Sequence, residues 1–179
     1  MPFHPALLDR LECAVRRYGA GTPTDRAELA SAISPLGVGL DPDYAEFVER
    51  FGGCYVGIPV YGLRNSDLLE HVSVVDLTLR FRRDGWPGTD RGLVVSFDLA
   101  GNPLVLTPGG PVTSYDHDTG RACELAQGFA TLLDQHAEDW TAPACGPNDW
   151  LAEADDPAAR TAARLGPRVC VSCPGAAQG

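Results

Sequence analysis

The chain has 179 residues, 44% hydrophobic and 21% charged, with a net charge of −10 and no lysine among its 14 basic residues. That length and balance support one packed domain and exclude wholesale disorder. A negative field repels phosphate backbones and attracts basic partners, so nucleic-acid binding is disfavoured.

Leu7, Leu8, Leu11, Val15 and Tyr18 recur at helical spacing and Gly19 stops the pattern, which predicts a first helix over Pro5–Tyr18. A short second helix is expected at Asp25–Ile33 with Thr24 as its N-cap. The third helix has the clearest signals. Asp41 caps it, Pro42 suits the first helical position and Gly52-Gly53 end it. Tyr44, Phe47, Val48 and Phe51 form its inward face, and Asp43, Glu46, Glu49 and Arg50 its outward face. Cys54–Ile58 and Val60–Leu63 read as short strands separated by Pro59.

Ser73–Arg83 carries two patterns. Val75, Leu77, Leu79 and Phe81 alternate as in a strand, whereas Ser73-x-x-Asp76 is a capping box, and a helix is the preferred reading. Gly92–Leu99, Pro103–Thr107 and Pro111–Asp116 are then strands joined by Gly-containing turns, an antiparallel meander. A closing helix is expected at Arg121–Glu138, with Leu125, Phe129, Leu132, Leu133 and His136 on one stripe. Helices, a meander and a closing helix in that order make an α+β pattern. It is assigned to residues 1–140. Residues 141–179 are an Ala/Pro/Gly-rich extension, expected to be partly disordered, with Trp140 and Trp150 pinning it and a short helix at 157–165.

The charge is concentrated. Residues 41–139 hold 16 acids and seven arginines, whereas residues 1–40 hold four of each. No apolar run approaches the ~20 residues of a membrane span. Met1-Pro2-Phe3-His4-Pro5 carries no basic region leading into an apolar stretch, so the expected address is the cytoplasm. There the six cysteines are expected as thiols, with Cys13, Cys54 and Cys123 in the core.

Few motifs carry chemistry. There is no G-x-S-x-G elbow, and a P-loop is impossible without lysine. In Tyr115-Asp116-His117-Asp118 a histidine stands between two carboxylates. On a strand they would face away from it, and only a turn would gather all three for acid–base or metal chemistry. A solvated strand end and a partner contact are the other readings. Cys170-Val171-Ser172-Cys173 has zinc-ligand spacing, and Cys145 and His136 could complete a set. Without a second paired motif, Cys170 and Cys173 read foremost as bystanders in the tail, with zinc ligands and a redox pair as the lesser readings. Trp86, in Asp84-Gly85-Trp86-Pro87-Gly88, is either an interface anchor or a ring folded over the core.

Leu40-Asp41-Pro42-Asp43-Tyr44 leading through Phe47 and Val48 to Phe51-Gly52-Gly53 resembles the signature helix of the SUKH superfamily. Leu93–Asn102 is similar to that family's central hairpin, and Pro111–Asp118 followed by Ala126–Leu133 to its closing strand and helix. The resemblance covers about residues 25–138. It departs from the family pattern in the extra residue at Leu40-Asp41-Pro42 and in Gly101-Asn102 where Gly-Asp is common. It implies N-terminal helices packed on a twisted antiparallel sheet with a closing helix. It further implies a non-enzymatic immunity protein, with no cofactor, that binds and neutralises a cognate bacterial toxin. A basic nuclease would suit the acidic charge. A general interaction module on the same fold and a zinc protein built on the C-terminal cysteines are the alternatives. Candidate contact residues, chosen for exposure and charge, are Glu46, Glu49, Tyr61, Trp86, Asp116, His117 and Asp118.

Overall fold

The first four α-helices each begin where a side chain takes up backbone N–H groups that the helix itself cannot satisfy. The computed structural model describes residues 3–137, all within the first of the two units into which the chain divides, Met1–Trp140. Helix α1 (Pro5–Tyr18) starts with the His4 Nδ1 accepting from Leu7 N–H at 3.2 Å and buries Leu7, Leu11 and Ala14. Helix α2 (Arg26–Ile33) is capped by Asp25, whose Oδ1 accepts from Ala27 and Glu28 N–H, both at 2.9 Å. This corrects the expected Thr24 cap. Thr24 is buried, and its N–H bonds the Val48 carbonyl at 3.3 Å. A 3-10 turn over Ser34–Leu36 then leads to helix α3 (Pro42–Phe51). Asp41 Oδ1 caps Asp43 and Tyr44 N–H at 3.0 Å, and its Oδ2 accepts from Gly109 N–H at 3.0 Å. One carboxylate thus fixes both the start of α3 and a distant hairpin turn.

Strands β1 (Cys54–Tyr55) and β2 (Pro59–Val60) form a small hairpin, with Cys54 opposite Val60 and Tyr55 opposite Pro59. The expected strands were longer and put Pro59 between them. Pro59 instead pairs, which a two-stranded ribbon tolerates because each strand keeps a free edge. Helix α4 (Val74–Arg83) resolves the ambiguous segment as a helix. Ser73 Oγ accepts from Asp76 N–H at 3.1 Å and donates to Asp76 Oδ2 at 2.7 Å, and Val74, Leu77, Thr78 and Phe81 are buried.

Strands β3 (Leu93–Phe97), β4 (Pro103–Leu106), β5 (Val112–Tyr115) and β6 (Ala122–Ala126) form an antiparallel sheet in chain order. Helix α5 (Phe129–His136) closes the described chain. The single helix expected over Arg121–Glu138 is therefore a strand followed by a helix. Leu125 belongs to β6, where Ala122 and Glu124 face solvent and Cys123 and Leu125 are half-buried. The domain is α+β, with five α-helices and one four-stranded antiparallel sheet among the described residues.

Helices α3 and α5 meet through aromatic edges. The Phe129 ring lies 5.3 Å from Tyr44 and 5.7 Å from Phe47, both edge-on. The fully buried Tyr44 hydroxyl donates to the Tyr61 carbonyl at 2.6 Å, so its polar end is satisfied inside the core. Helix α4 is pinned to the sheet by Thr78, whose Oγ1 donates to Val74 O at 2.8 Å and accepts from Val94 N–H at 3.0 Å.

The tightest packing is backbone on backbone. A β-carbon on Gly21 would lie 2.5 Å from the Arg64 and Gly53 carbonyl oxygens. One on Gly52 would lie 2.6 Å from the Gly21 carbonyl carbon, and one on Gly53 would overlap Asn65 Oδ1. Asn65 Oδ1 accepts from Gly62 N–H at 2.9 Å, and its Nδ2 donates to the Glu70 and Val72 carbonyls at 3.0 and 2.7 Å. Gly53→Ala should therefore lower the unfolding free energy by about 2–3 kcal/mol, the cost of overpacking a site that cannot yield. Gly39→Ala, whose β-carbon would meet Pro108 at an ordinary 3.5 Å, should stay within about 0.5 kcal/mol. Urea denaturation of the two variants makes the comparison, and equal stabilities would contradict it.

Candidate functional site

The segment 115–121 is a hairpin turn, not the end of an extended strand. Asp116 Oδ1 accepts from Asp118 N–H at 3.1 Å, Thr119 N–H at 2.7 Å and the Thr119 hydroxyl at 2.8 Å. The backbone closes beneath it, Gly120 N–H donating to Asp116 O at 2.8 Å and Asp116 N–H to Arg121 O at 3.0 Å. The Thr119 hydroxyl, helped by the Thr119 N–H, holds the Asp116 carboxyl below the ordinary aspartate value.

The neighbouring turn between β3 and β4 is built the same way. Asp98 Oδ1 accepts from Ala100 and Asn102 N–H, both at 2.9 Å, and Asp98 Oδ2 accepts from Asn102 Nδ2 at 2.9 Å. That fixes the Asn102 amide, whose Oδ1 accepts from His117 N–H at 3.0 Å and lies 2.8 Å from His117 Nδ1. His117 Nε2 faces Asp118 Oδ1 at 3.2 Å. His117 thus joins the two turns through its backbone N–H and its ring, both on the Asn102 side chain, and the sheet register brings those turns side by side.

Trp86 reaches the same place from the α4–β3 connection. Its N–H donates to Phe81 O at 3.1 Å, and its half-buried ring stands 5.6 Å from the Phe81 ring at 74°. The loop is held below by Thr89, whose hydroxyl donates to Trp86 O at 2.8 Å, and by Arg82, whose Nε donates to Thr89 O at 2.5 Å. Gly88, with φ 74°, lies so close to the Tyr115 ring that a β-carbon would overlap it. The result is an open cleft of about 190 Å³ lined by Asp84, Gly85, Trp86, Pro87, Asp116, His117 and Gly120.

Of the candidates read from the sequence, Trp86, Asp116 and His117 therefore share one cleft, with the exposed Asp118 touching His117. The others lie elsewhere. Glu46 pairs with Arg50 at 3.0 Å along α3. Glu49 accepts from Arg26 N–H at 3.1 Å and from Arg26 Nη2 at 2.9 Å, which ties α3 to the start of α2. Tyr61 corrects the expectation of an exposed edge. It is 2% exposed, stacks on Phe97 at 5.6 Å, and burial together with the Glu70 charge raises its phenol above the ordinary value. Asp84, Asn102 and Thr119 were not singled out from the sequence. Asp84 is the C-cap of α4, and Asp116-x-x-Thr119 is an Asx-turn pattern that reading the segment as a strand concealed.

Cys54 is in the core as expected, and burial pushes its thiol up to about 12. Cys13 and Cys123 correct the expectation of core thiols, since both are only half-buried: Cys13 flanks the buried stripe of Leu7, Leu11 and Ala14 on α1, and Cys123 lies on β6 between exposed Ala122 and Glu124. His136 is half-buried and desolvation lowers it from its ordinary value. No group of three or more His, Cys, Asp or Glu side chains is placed to hold a metal among the described residues, and no helix there is long and apolar enough to cross a membrane. Cys145, Cys170 and Cys173, the tail helix, Trp140 and Trp150 lie outside the described residues. No protein-family model matches the chain, and no curated protein matches it.

The depressed Asp116 carboxyl gives a pH dependence of definite sign. The folded value lies below the ordinary 3.8, so the turn's contribution is complete above that value and is lost as pH falls through the folded one. Thr119→Val removes the largest cause. A carboxyl-carbon NMR titration should then show the Asp116 midpoint rising toward 3.8, and an unchanged midpoint would contradict the assignment.

Proposed function

We propose that this chain is a non-enzymatic immunity protein that acts in the cytoplasm by binding and neutralising a cognate bacterial toxin, with a basic nuclease as the best-fitting target. The observation that carries the reading is the convergence of Trp86, Asp116 and His117, together with Asp84, on one cleft of a domain whose negative charge is concentrated in residues 41–139. An aromatic ring beside fixed carboxylates is the composition of a protein-binding anchor, since buried aromatics dominate interface energetics. Opposite charge steers a basic partner into encounter and selects against acidic ones. A nuclease, which must attract phosphate backbones, is such a partner.

The SUKH-like pattern of helix, hairpin and closing helix supports the same role. The α+β order of the described elements is compatible with it. The loops that line the cleft are fixed by hydrogen bonds within the fold, so binding there orders few groups.

Co-expression supplies the test. The chain should restore growth to cells producing the catalytic domain of the toxin encoded beside its gene and should co-purify with that domain. Its association rate should fall at least tenfold between about 0.05 and 0.5 M salt as the steering field is screened. Continued killing with no complex formed would overturn the proposal.

A further inference from the structure

We propose that the cleft receives a single arginine side chain of the partner, its guanidinium lying on the Trp86 ring and paired with Asp116 and Asp84. This deepens the immunity reading and rests on it. The cleft is open to solvent and lined by Trp86, Asp84 and Asp116, so a long side chain can enter it from the surface of a partner.

The lining sets the chemistry. Asp116 Oδ1 is engaged three times by its own turn, while its Oδ2 accepts none of those bonds and is held in place by them. A carboxylate fixed in this way takes up a cation without first losing side-chain freedom. Asp84 adds a second carboxylate from the end of α4, facing only the well-exposed Arg83 at a loose 3.9 Å among the described residues. Trp86 contributes an aromatic ring whose position is set by Phe81, and tryptophan is the best of the aromatic platforms for a cation. Arginine fits this set better than lysine. Its planar, weakly hydrated guanidinium stacks on a ring while presenting donors in its own plane to carboxylates, whereas an ammonium is a compact and strongly hydrated point charge.

The probe is N-acetyl-L-argininamide, titrated at low salt into the full chain and followed by amide and indole NMR, with N-acetyl-L-lysinamide and uncharged N-acetyl-L-glutaminamide in parallel. The argininamide should move the Trp86 indole signal and the backbone amides of residues 116–120 along one binding curve, at least threefold tighter than the lysinamide. Asp116→Asn and Asp84→Asn should each weaken it about threefold, the scale of one exposed ion pair. Asparagine keeps an acceptor oxygen for the turn, and unchanged amide signals of β3 and β4 certify that the fold is intact. Equal responses to the argininamide and glutaminamide, or shifts that avoid the cleft, overturn the proposal. The two readings fail separately. Undiminished toxin protection by the Asp84→Asn/Asp116→Asn double variant overturns the cleft as the contact and leaves the immunity function, whereas argininamide binding without any protection overturns the function.

Discussion

Backbone crosses backbone where Gly21, Gly52, Gly53 and Gly62 meet, and the rest of the domain is arranged around that contact. No β-carbon fits on Gly21, Gly52 or Gly53 without falling within 2.7 Å of another segment's atoms. The contact lets Gly53 N–H donate to Arg64 O at 3.1 Å and Ser66 N–H to Gly53 O at 2.7 Å, binding the end of α3 to the connection that follows β2. Asn65 occupies the space the absent side chains leave, and its amide organises residues 62–72. From there Val74 N–H reaches Gly62 O at 2.8 Å, which sets where α4 begins. The position of α4 against β3 then determines where its far end delivers Trp86.

A second set of constraints builds the cleft itself. Two antiparallel turns, at 98–102 and 116–121, emerge at one end of the sheet because β3, β4, β5 and β6 pair in chain order. Each turn is closed on an aspartate, and His117 and Asn102 fasten one to the other. Loops held this firmly differ from the mobile connections that usually carry binding residues. Asp116, whose Oδ2 takes no part in the bonds of its turn, is thereby pre-positioned in the lining of a cleft that also holds Trp86. An acidic surface without such a cleft would steer a basic partner but would give it no specific seat.

Local chemistry made most of the helical frame legible in the sequence. Asp41-Pro42 and Gly52 bound α3, and the capping box at Ser73 outweighed the strand-like alternation of Val75, Leu77, Leu79 and Phe81, because a satisfied N-terminus and a helical burial pattern agree there. Strand β6 was hidden. Leu125 stands four residues before Phe129 and so continues the stripe of α5 as though the helix began earlier, while extended Gly128 is what separates them. The site was legible only as isolated residues. Trp86 and Asp116 are 30 positions apart in sequence, and only the strand register and the Gly88–Tyr115 contact bring them together. Tyr61 misled for the same reason, since the Phe97 ring that covers it belongs to a strand on the far side of α4 in sequence.

The central claim is that a basic protein partner docks on this cleft and not on the acidic outer face of α3, whose Glu46 and Glu49 are already engaged by Arg50 and Arg26. Hydrogen–deuterium exchange on the chain with and without the protein encoded by the adjacent gene tests it most directly. The account predicts slowed exchange in residues 84–91 and 115–121, with residues 43–50 unchanged. Protection confined to residues 43–50 would contradict it.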